Sequence, residues 1–499
     1  MNSYHNEIIP EGVIYKSEKN RLAILLLVPF YSFYPKYETR RAGCPIGLEM
    51  IVAELVNKGF NVIFIDACMS KYNQFTKQIN GTIRYGLTNQ QLKKLLNKYN
   101  PDVVGITSLF SNQSKNTALV AKIVRDTYPN TIIIEGGGHA TGAVNEVLSS
   151  GIVNIVVRSE GFITFTKLCT MLENNDDIYQ LKGISYCNDC GELRHNPNEK
   201  FCQNLDSLAP RLLEIPLHPM YNTLEHTGGS RGTKKGRHVY VITSIGCPGH
   251  CKFCLSDLMT GRKTRFFGIK RIKNQIKQFV EAGVKEIIIE DDQFLADIPR
   301  AMKIMDIFKK NNVLWFEEGG ISMFKLMKPG HNLAFKDIID KMSSTGCYRF
   351  YLAIESANSK SLESSLKPSI NTKLNKAKII INYIASKNIE AVGGFMLGFK
   401  NEEYEETGDE IRHTIEYAKK LKKAGLAHVM LFIYTALPGT VIFPFLKQFI
   451  SNYTSHERAG FTTGGYSPKK LAEKRLVWMK EINGGNSTNI TQSTKNWGI

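Results

Sequence analysis

No stretch of this chain carries the roughly 18 consecutive apolar residues that a membrane-crossing helix needs. The longest strong run, Leu22–Phe30, is only strand-sized. Residues 1–20 mix Glu, Asn, Pro and Lys around no apolar segment, so no secretory leader is read there and a cytoplasmic location is the expectation. No self-similarity at 20–50-residue periods appears, which excludes solenoids and propellers. Basic residues outnumber acidic ones, 64 to 46, for a net charge of +18, yet they form no long block. The densest groups, Arg231–Arg237 and Lys469–Lys480, lack the interleaved aromatics of a strand-reading surface. The charge is therefore read as spread over the surface, and neither a nucleic acid nor a membrane is expected as a partner. Ten cysteines in 499 residues fall far short of a disulfide scaffold, so they are read as thiols or metal ligands.

What is present is the composition of a folded protein, 42% apolar and 22% charged. Chains of this length divide into two or three domains. Residues 21–170 alternate Val/Ile/Leu-rich runs (Leu22–Val28, Asn61–Asp66, Asp102–Thr107, Thr131–Glu135, Ile152–Val157) with amphipathic stretches (Gly47–Asn57, Asn89–Tyr99, Ser114–Tyr128). Continuous apolar runs suit strands buried on both faces, so the alternation predicts a doubly wound parallel sheet with ligand sites at its strand C-termini. Residues 171–237 break the pattern and read as a linker with a hairpin around Cys187–Gly191. From 238 to 450 six βα units follow, with strands expected at Val239–Ser244, Glu286–Glu290, Leu314–Glu317, Arg349–Ile354, Ala391–Leu397 and His428–Tyr434. Their helices include Arg271–Ala282, Ala301–Asn311, Asn371–Lys387 and Glu402–Ala424. Six units fit a partial (β/α) barrel with its site at the strand C-termini. Residues 451–499 read as an extension ending in a frayed Asn/Ser/Thr-rich tail, and residues 1–20 as a tail.

One motif carries chemistry. Cys247-Pro-Gly-His-Cys251-Lys-Phe-Cys254 is a C-x3-C-x2-C triplet directly after the first barrel strand. Three thiolates on a tight loop can hold three irons of a four-iron four-sulfur cluster, leaving the fourth iron open to chelate a small molecule. Structural zinc takes four ligands, often from paired C-x2-C units, and no second pair follows at suitable spacing. Cys187-Asn-Asp-Cys190 is a lone pair that cannot close a zinc site and is read as a hairpin turn.

The triplet resembles the signature of the radical S-adenosylmethionine (SAM) superfamily. Further elements occur in that superfamily's order and resemble its cobalamin-binding branch: Glu290-Asp-Asp-Gln-Phe294 after the second strand, Glu355-Ser356 after the fourth, Gly394-Phe-Met-Leu-Gly398 in the fifth and Leu437-Pro-Gly-Thr440 after the sixth. The resemblance implies that Phe253, Asp291, Asp292, Glu355, Ser356, Gly394 and Gly398 line the SAM site.

In the N-terminal sheet, Glu135-Gly-Gly-Gly-His-Ala-Thr141 follows the fourth strand, Thr107-Ser-Leu-Phe-Ser-Asn-Gln113 the third and Arg158-Ser-Glu-Gly161 the fifth. These turns resemble the branch's cobalamin-binding domain, which implies Thr107, Ser108, Gly136, Gly137, Gly138, His139 and Glu160 as cobalamin contacts. The Asp-x-His-x-x-Gly segment that supplies an axial histidine elsewhere is missing; Pro29-Phe-Tyr-Ser-Phe33 stands after strand one. The resemblance therefore implies cobalt without a lower protein histidine, with His139 at the nucleotide-tail pocket.

The implied protein is a cobalamin-dependent radical SAM enzyme: a doubly wound, Rossmann-like cobalamin-binding domain followed by a partial (β/α)6 barrel, using a 4Fe-4S cluster, SAM and cobalamin. The implied activity is methyl transfer to an unactivated carbon of a small molecule, fed by a one-electron reductant such as flavodoxin or ferredoxin. Two alternatives stand beside it: the same cofactors used for cyclisation or rearrangement without methyl transfer, and an RNA-modifying methylthiotransferase. The latter carries three further cluster cysteines in its N-terminal domain, where this chain has only the scattered Cys44, Cys68 and Cys169.

Overall fold

The computed structural model describes residues 4–17, 21–35, 43–221, 236–365, 374–450 and 465–484. Arg231, Lys234 and Lys235 of the first basic group, residues 371–373 of one expected helix and residues 485–499 of the tail lie outside them.

Twelve strands come before the barrel: β1 Tyr4–Ile9, β2 Gly12–Ser17, β3 Ala23–Val28, β4 Tyr31–Phe33, β5 Asn61–Asp66, β6 Phe75–Lys77, β7 Ile83–Tyr85, β8 Val103–Thr107, β9 Ile132–Gly136, β10 Ile155–Val157, β11 Ile184–Cys187 and β12 Leu193–His195. Nine of them form one sheet in the order β1-β2-β5-β3-β8-β9-β10-β11-β12. Its centre, β5-β3-β8-β9-β10, is parallel, because the Val/Ile/Leu runs are buried on both faces. The strand order reverses between β3 and β8, the position where such sheets open a ligand crevice. Both sheet edges are extended antiparallel. Residues 4–17, expected as a tail, form a hairpin on β5, and the linker hairpin continues the sheet from β10. After β3, where an axial histidine segment would begin, the chain enters β4 of a small antiparallel sheet, β4-β7-β6.

Eight strands follow: β13 His238–Val241, β14 Ser244–Ile245, β15 Arg265–Phe266, β16 Glu286–Ile289, β17 Leu314–Ser322, β18 Cys347–Glu355, β19 Glu390–Leu397 and β20 His428–Ile433. The order β13-β16-β17-β18-β19-β20 is parallel throughout. Connecting helices begin on local caps: Asp297 accepts the Arg300 amide, and Thr407 and Glu410 close a reciprocal capping box. The open edge at β20 is covered by helix Pro468–Ile482, in the region expected as an extension. Asn483 after that helix pairs with the Val429 amide and carbonyl at 2.9 and 3.0 Å, and Arg475 donates to the Leu431 carbonyl. Edge groups that a seventh strand would have satisfied are thus occupied by side chains. No helix among the described residues is long and apolar enough to cross a membrane.

The two units share a core. Val13 and Tyr15 of the hairpin, Ile215 and Tyr221 of the linker, and Tyr240, Ile288 and Phe316 of the barrel belong to one buried apolar cluster. A buried ion pair crosses the same boundary. Arg211 meets both Glu49 carboxylate oxygens at 2.6 Å and gives its remaining arm to the Tyr240 carbonyl at 2.7 Å.

Candidate functional site

The cysteine loop leaves the first barrel strand through Gly246. Its φ is +97°, and a Cβ there would sit 2.6 Å from the Lys263 carbonyl, so only glycine makes this turn. Cys247 and Cys251 are half-buried and Cys254 exposed. Gly249 lies between the first two, where a Cβ would come within 3.3 Å of the Cys247 sulfur and 3.8 Å of the Cys251 sulfur. The Gly249 amide points at the Cys247 sulfur at 3.4 Å. The loop is pinned at Lys252, whose N–H donates to the Ser365 carbonyl and whose carbonyl accepts from Ile442. Among the described residues no three Cys, His, Asp or Glu side chains converge as a single metal ion requires.

Asp292 anchors this loop. Its carboxylate accepts the Gly246 N–H at 2.9 Å and the Ser256 and Thr260 hydroxyls at 3.2 Å each. Ser256 in turn accepts from the Cys254 thiol at 3.3 Å, so a chain runs from carboxylate to hydroxyl to sulfur.

Other expected SAM-site residues separate into those that face the barrel mouth and those that do not. Asp291 is a correction: it is fully buried, and its oxygens accept the Thr243 amide and the Thr243 and Ser244 hydroxyls, so its carboxylate is turned to the protein rather than to the barrel mouth. It fixes the bend between β13 and β14. Ser356 is a second correction: it is buried, accepts the Asn358 amide at 2.9 Å and meets the Thr414 hydroxyl, which is helix-start chemistry. Glu355 ends β18 in the left-handed region at φ +68°, a strained conformation for a branchless acid and a mark of functional sites. Gly398 turns at φ +85° and gives its N–H to Glu406 at 2.6 Å; a side chain at Gly394 would find ordinary packing. Phe253 packs edge-on against Tyr434 and Phe399 at 5.6 and 6.5 Å.

Sequence reasoning overlooked two groups. Glu317-Glu-Gly-Gly320 bulges out of β17, and Gly319 lies so flat on the Asp291 carbonyl that a Cβ would sit 2.0 Å away. Glu290 is pushed up to about 7 by burial, with the Asp291 charge adding and a hydrogen bond to Glu318 opposing. Burial first, then Glu290 and Asp291, drive Glu317 well above the usual carboxylate range. The glycine pair after a strand was the signal available. The second overlooked group is Tyr434, directly after β20, whose phenol burial pushes up to about 12, with a hydrogen bond to the Ser365 side chain opposing and a smaller contribution from Cys251 adding.

In the first domain the expected turns gather at the C-terminal ends of β8, β9 and β10. Gly137 has φ +108°, and a Cβ on it or on Gly138 would press within 2.9 or 2.8 Å of the Ser108 or Leu109 carbonyl. Thr107 and Gly136 pair across β8 and β9. Leu109 and Phe110 beside them are 52% and 43% exposed, an apolar face at the switch point. His139 is buried against the Ser111 hydroxyl at 3.1 Å, and burial lowers it to about 4. Glu160 is a third correction: it forms a buried, bidentate ion pair with Arg265 of the barrel and accepts the Cys202 amide, which makes it a domain-docking carboxylate. Cys44, Cys68 and Cys169 are each buried, and Cys187 and Cys190 are exposed on the hairpin turn.

These turns meet the barrel. A Cβ at Gly138 would touch Leu255 next to Cys254, and one at Gly142 would sit 2.0 Å from the Pro438 carbonyl. Ser159, at φ +59°, donates to the Leu258 carbonyl at 2.8 Å. Strand C-termini of both units therefore face one seam.

The B12 binding domain family matches residues 40–168, and the Radical SAM superfamily matches residues 241–414. Cytidylyl-2-hydroxyethylphosphonate methyltransferase of Streptomyces wedmorensis is 24% identical over 457 residues, covering 87% of this chain and 83% of that protein. An uncharacterized methyltransferase of Pyrococcus horikoshii is 28% identical over 426 residues, covering 84% and 82%. Among solved structures, the cobalamin-dependent S-adenosylmethionine radical enzyme OxsB with aqua-cobalamin bound superposes with a TM-score of 0.70 over 92% of this chain and 67% of that one, at 15% identity, a likeness of fold. With a B12-binding domain and a radical SAM domain joined on one chain and turned toward a common seam, the protein belongs to the cobalamin-binding branch of the radical SAM superfamily.

Proposed function

We propose that the protein is a cobalamin-dependent radical SAM methyltransferase acting on an unactivated carbon of a small molecule. In this reading Cys247, Cys251 and Cys254 ligate a four-iron four-sulfur cluster. The loop fits that group: the Cys247 and Cys251 sulfurs flank Gly249, where a Cβ would come within 3.3 and 3.8 Å of them, and all three cysteines are at least partly exposed. The first domain fits a corrinoid, with glycine turns held flush against Ser108 and Leu109 and an exposed apolar pair at the switch point. When bound, the three cofactors supply one-electron cleavage of SAM, hydrogen abstraction from carbon and a methyl group.

The chain's own residues do the rest. Asp292 orients the cysteine loop through Gly246, Ser256 and Thr260. Glu355, with Glu290 and Glu318, offers carboxyl groups to the cationic end of SAM. Phe253 shields the sulfurs, and Gly398 lets backbone run close to the adenine. Thr107, Ser108, Gly136, Gly137, Gly138 and His139 line the corrinoid pocket. Glu160 and Arg265, together with Ser159, clamp the two halves and exclude water from the seam.

The observation that carries this reading is the seam itself: the glycine turn of one half touches Leu255, one residue beyond Cys254 of the other. It is tested by anaerobic reconstitution of the whole chain with iron, sulfide, hydroxocobalamin, SAM and a one-electron donor such as flavodoxin or ferredoxin. Both 5′-deoxyadenosine and S-adenosylhomocysteine are expected. Formation of 5′-deoxyadenosine alone would favour the cyclising or rearranging alternative. Cys251→Ala should keep the melting temperature of the apo chain and lose the iron; a variant that still cleaves SAM refutes the ligand assignment.

A further inference from the structure

The Ser256 hydroxyl stands between two acceptors. Its oxygen lies 3.3 Å from the Cys254 sulfur and 3.2 Å from one carboxylate oxygen of Asp292. A hydroxyl has one proton to give, so it serves one acceptor at a time. Hydroxyls held by a carboxylate normally sit at about 2.5–2.7 Å, so the bond to Asp292 is a stretched one. Sulfur is the larger atom, and 3.3 Å is a close approach to it. While Cys254 is a thiol, it donates to Ser256, and the Ser256 proton goes to Asp292. A ligating thiolate has no proton and carries negative charge, so the contact stays favourable only when the hydroxyl turns and donates to sulfur. Ser256 is held in place for this. Its amide points at the same sulfur at 3.5 Å, and its carbonyl accepts the Thr260 hydroxyl at 2.9 Å and the Gly261 amide at 3.1 Å. Asp292 tolerates the loss: its other oxygen keeps the Gly246 amide and the Thr260 hydroxyl, and the residue is half-buried, so water reaches the oxygen that is freed.

We propose that Ser256 turns its hydroxyl from Asp292 to the Cys254 sulfur when that cysteine ligates the cluster, and that Asp292 competes for the same proton. The proposal rests on Cys254 being a cluster ligand. Hydrogen bonds to ligand sulfurs withdraw electron density and favour the reduced, more negative cluster. Ser256 therefore raises the reduction potential, and Asp292, by drawing the proton away, lowers it. Both act through the sulfur as positioning residues and touch no substrate.

The test is a redox titration followed through the electron spin resonance of the reduced cluster, on whole chains reconstituted with cobalamin and matched for iron. At a fixed potential the ratio of reduced to oxidised cluster should fall roughly twofold to fivefold in Ser256→Ala. Ser256→Thr keeps the hydroxyl and should stay near wild type; a fall to the alanine value overturns the proposal. In Asp292→Asn the ratio should rise, because an amide oxygen is the weaker competitor for the proton. Removing a negative charge raises it too, so the double variant decides. Added to Ser256→Ala, Asp292→Asn should raise the ratio by clearly less than it does alone, and equal rises overturn the competition. An unchanged ratio in Ser256→Ala with full iron overturns the tuning role; iron-poor, colourless wild type overturns the ligand assignment beneath it. Should Ser256→Ala fail to hold iron, Asp292→Asn and Ser256→Thr carry the test, and a ratio that does not rise in the first or that falls in the second overturns the proposal.

Discussion

Replacing Asp292 by alanine should loosen the cysteine loop without touching a cysteine. The carboxylate holds three donors, one of them the amide of Gly246 at the loop's entrance. A hydrogen bond to a charged acceptor contributes about 1.5–3 kcal/mol, and the amide bond should be lost in full because Gly246 is buried. Ser256 and Thr260 are only half-buried, so water can take over their hydroxyls and their loss is smaller. The net cost in the apo chain should be about 2–3 kcal/mol, read as a shift in the urea midpoint at constant slope. Asp292→Asn keeps one acceptor and should cost about 1 kcal/mol. The second effect is on metal retention. Ser256 links Asp292 to the Cys254 sulfur, and outer-shell partners of this kind are worth about 10–100-fold in metal affinity. Anaerobic iron release to a chelator should therefore accelerate about tenfold or more in the alanine variant and less in the asparagine one. If stability changes by less than about 0.5 kcal/mol and iron release stays within about twofold of wild type, Asp292 is not the loop's anchor.

Two further outcomes follow from buried charge. Glu49→Gln strands the Arg211 guanidinium, which is 6% exposed, and should cost about 3–5 kcal/mol, whereas Glu49→Leu combined with Arg211→Leu should recover most of that; a double-mutant cycle by urea unfolding decides it. His139 is lowered from 6.5 to about 4, so below pH 6.5 the unfolded chain takes up a proton that the folded one refuses, and stability is lost as pH falls through that window. Against His139→Gln, the apo wild type should lose about 2 kcal/mol more between pH 7.5 and pH 5, and parallel pH profiles would contradict this.

Most of the architecture was legible because buried parallel strands advertise themselves. Asn61–Asp66 was bounded correctly to the residue, and the other parallel strands to within three residues at either end, except β17, which runs five residues past the expected Glu317 through its glycine bulge. The N-terminal hairpin was not legible: Tyr4–Ile9 is polar and largely exposed, an edge strand defined by its partner rather than by its own pattern. The same limit governs the site. The cysteine triplet is local, so its spacing can be read directly. Asp291 and Asp292 are adjacent and chemically identical, yet one supports a strand bend and the other the cysteine loop, because each is defined by donors more than 30 residues away. Glu160 has the same problem, since its partner Arg265 lies 105 positions along the chain. Ser356 is taken up for a nearer reason: its hydroxyl closes a local turn onto the Asn358 amide two residues on, ahead of the helix that Asn358 caps.

Gly142 gives this arrangement an unusual economy of control. Where the two lobes press together, a single hydrogen atom stands in for a side chain, and the opposing carbonyl belongs to Pro438, almost three hundred residues later. The gap across which a corrinoid and a sulfonium nucleotide would confront each other is thus gauged by one missing methyl. Neither lobe can be repacked at that point without re-setting the reach of the other.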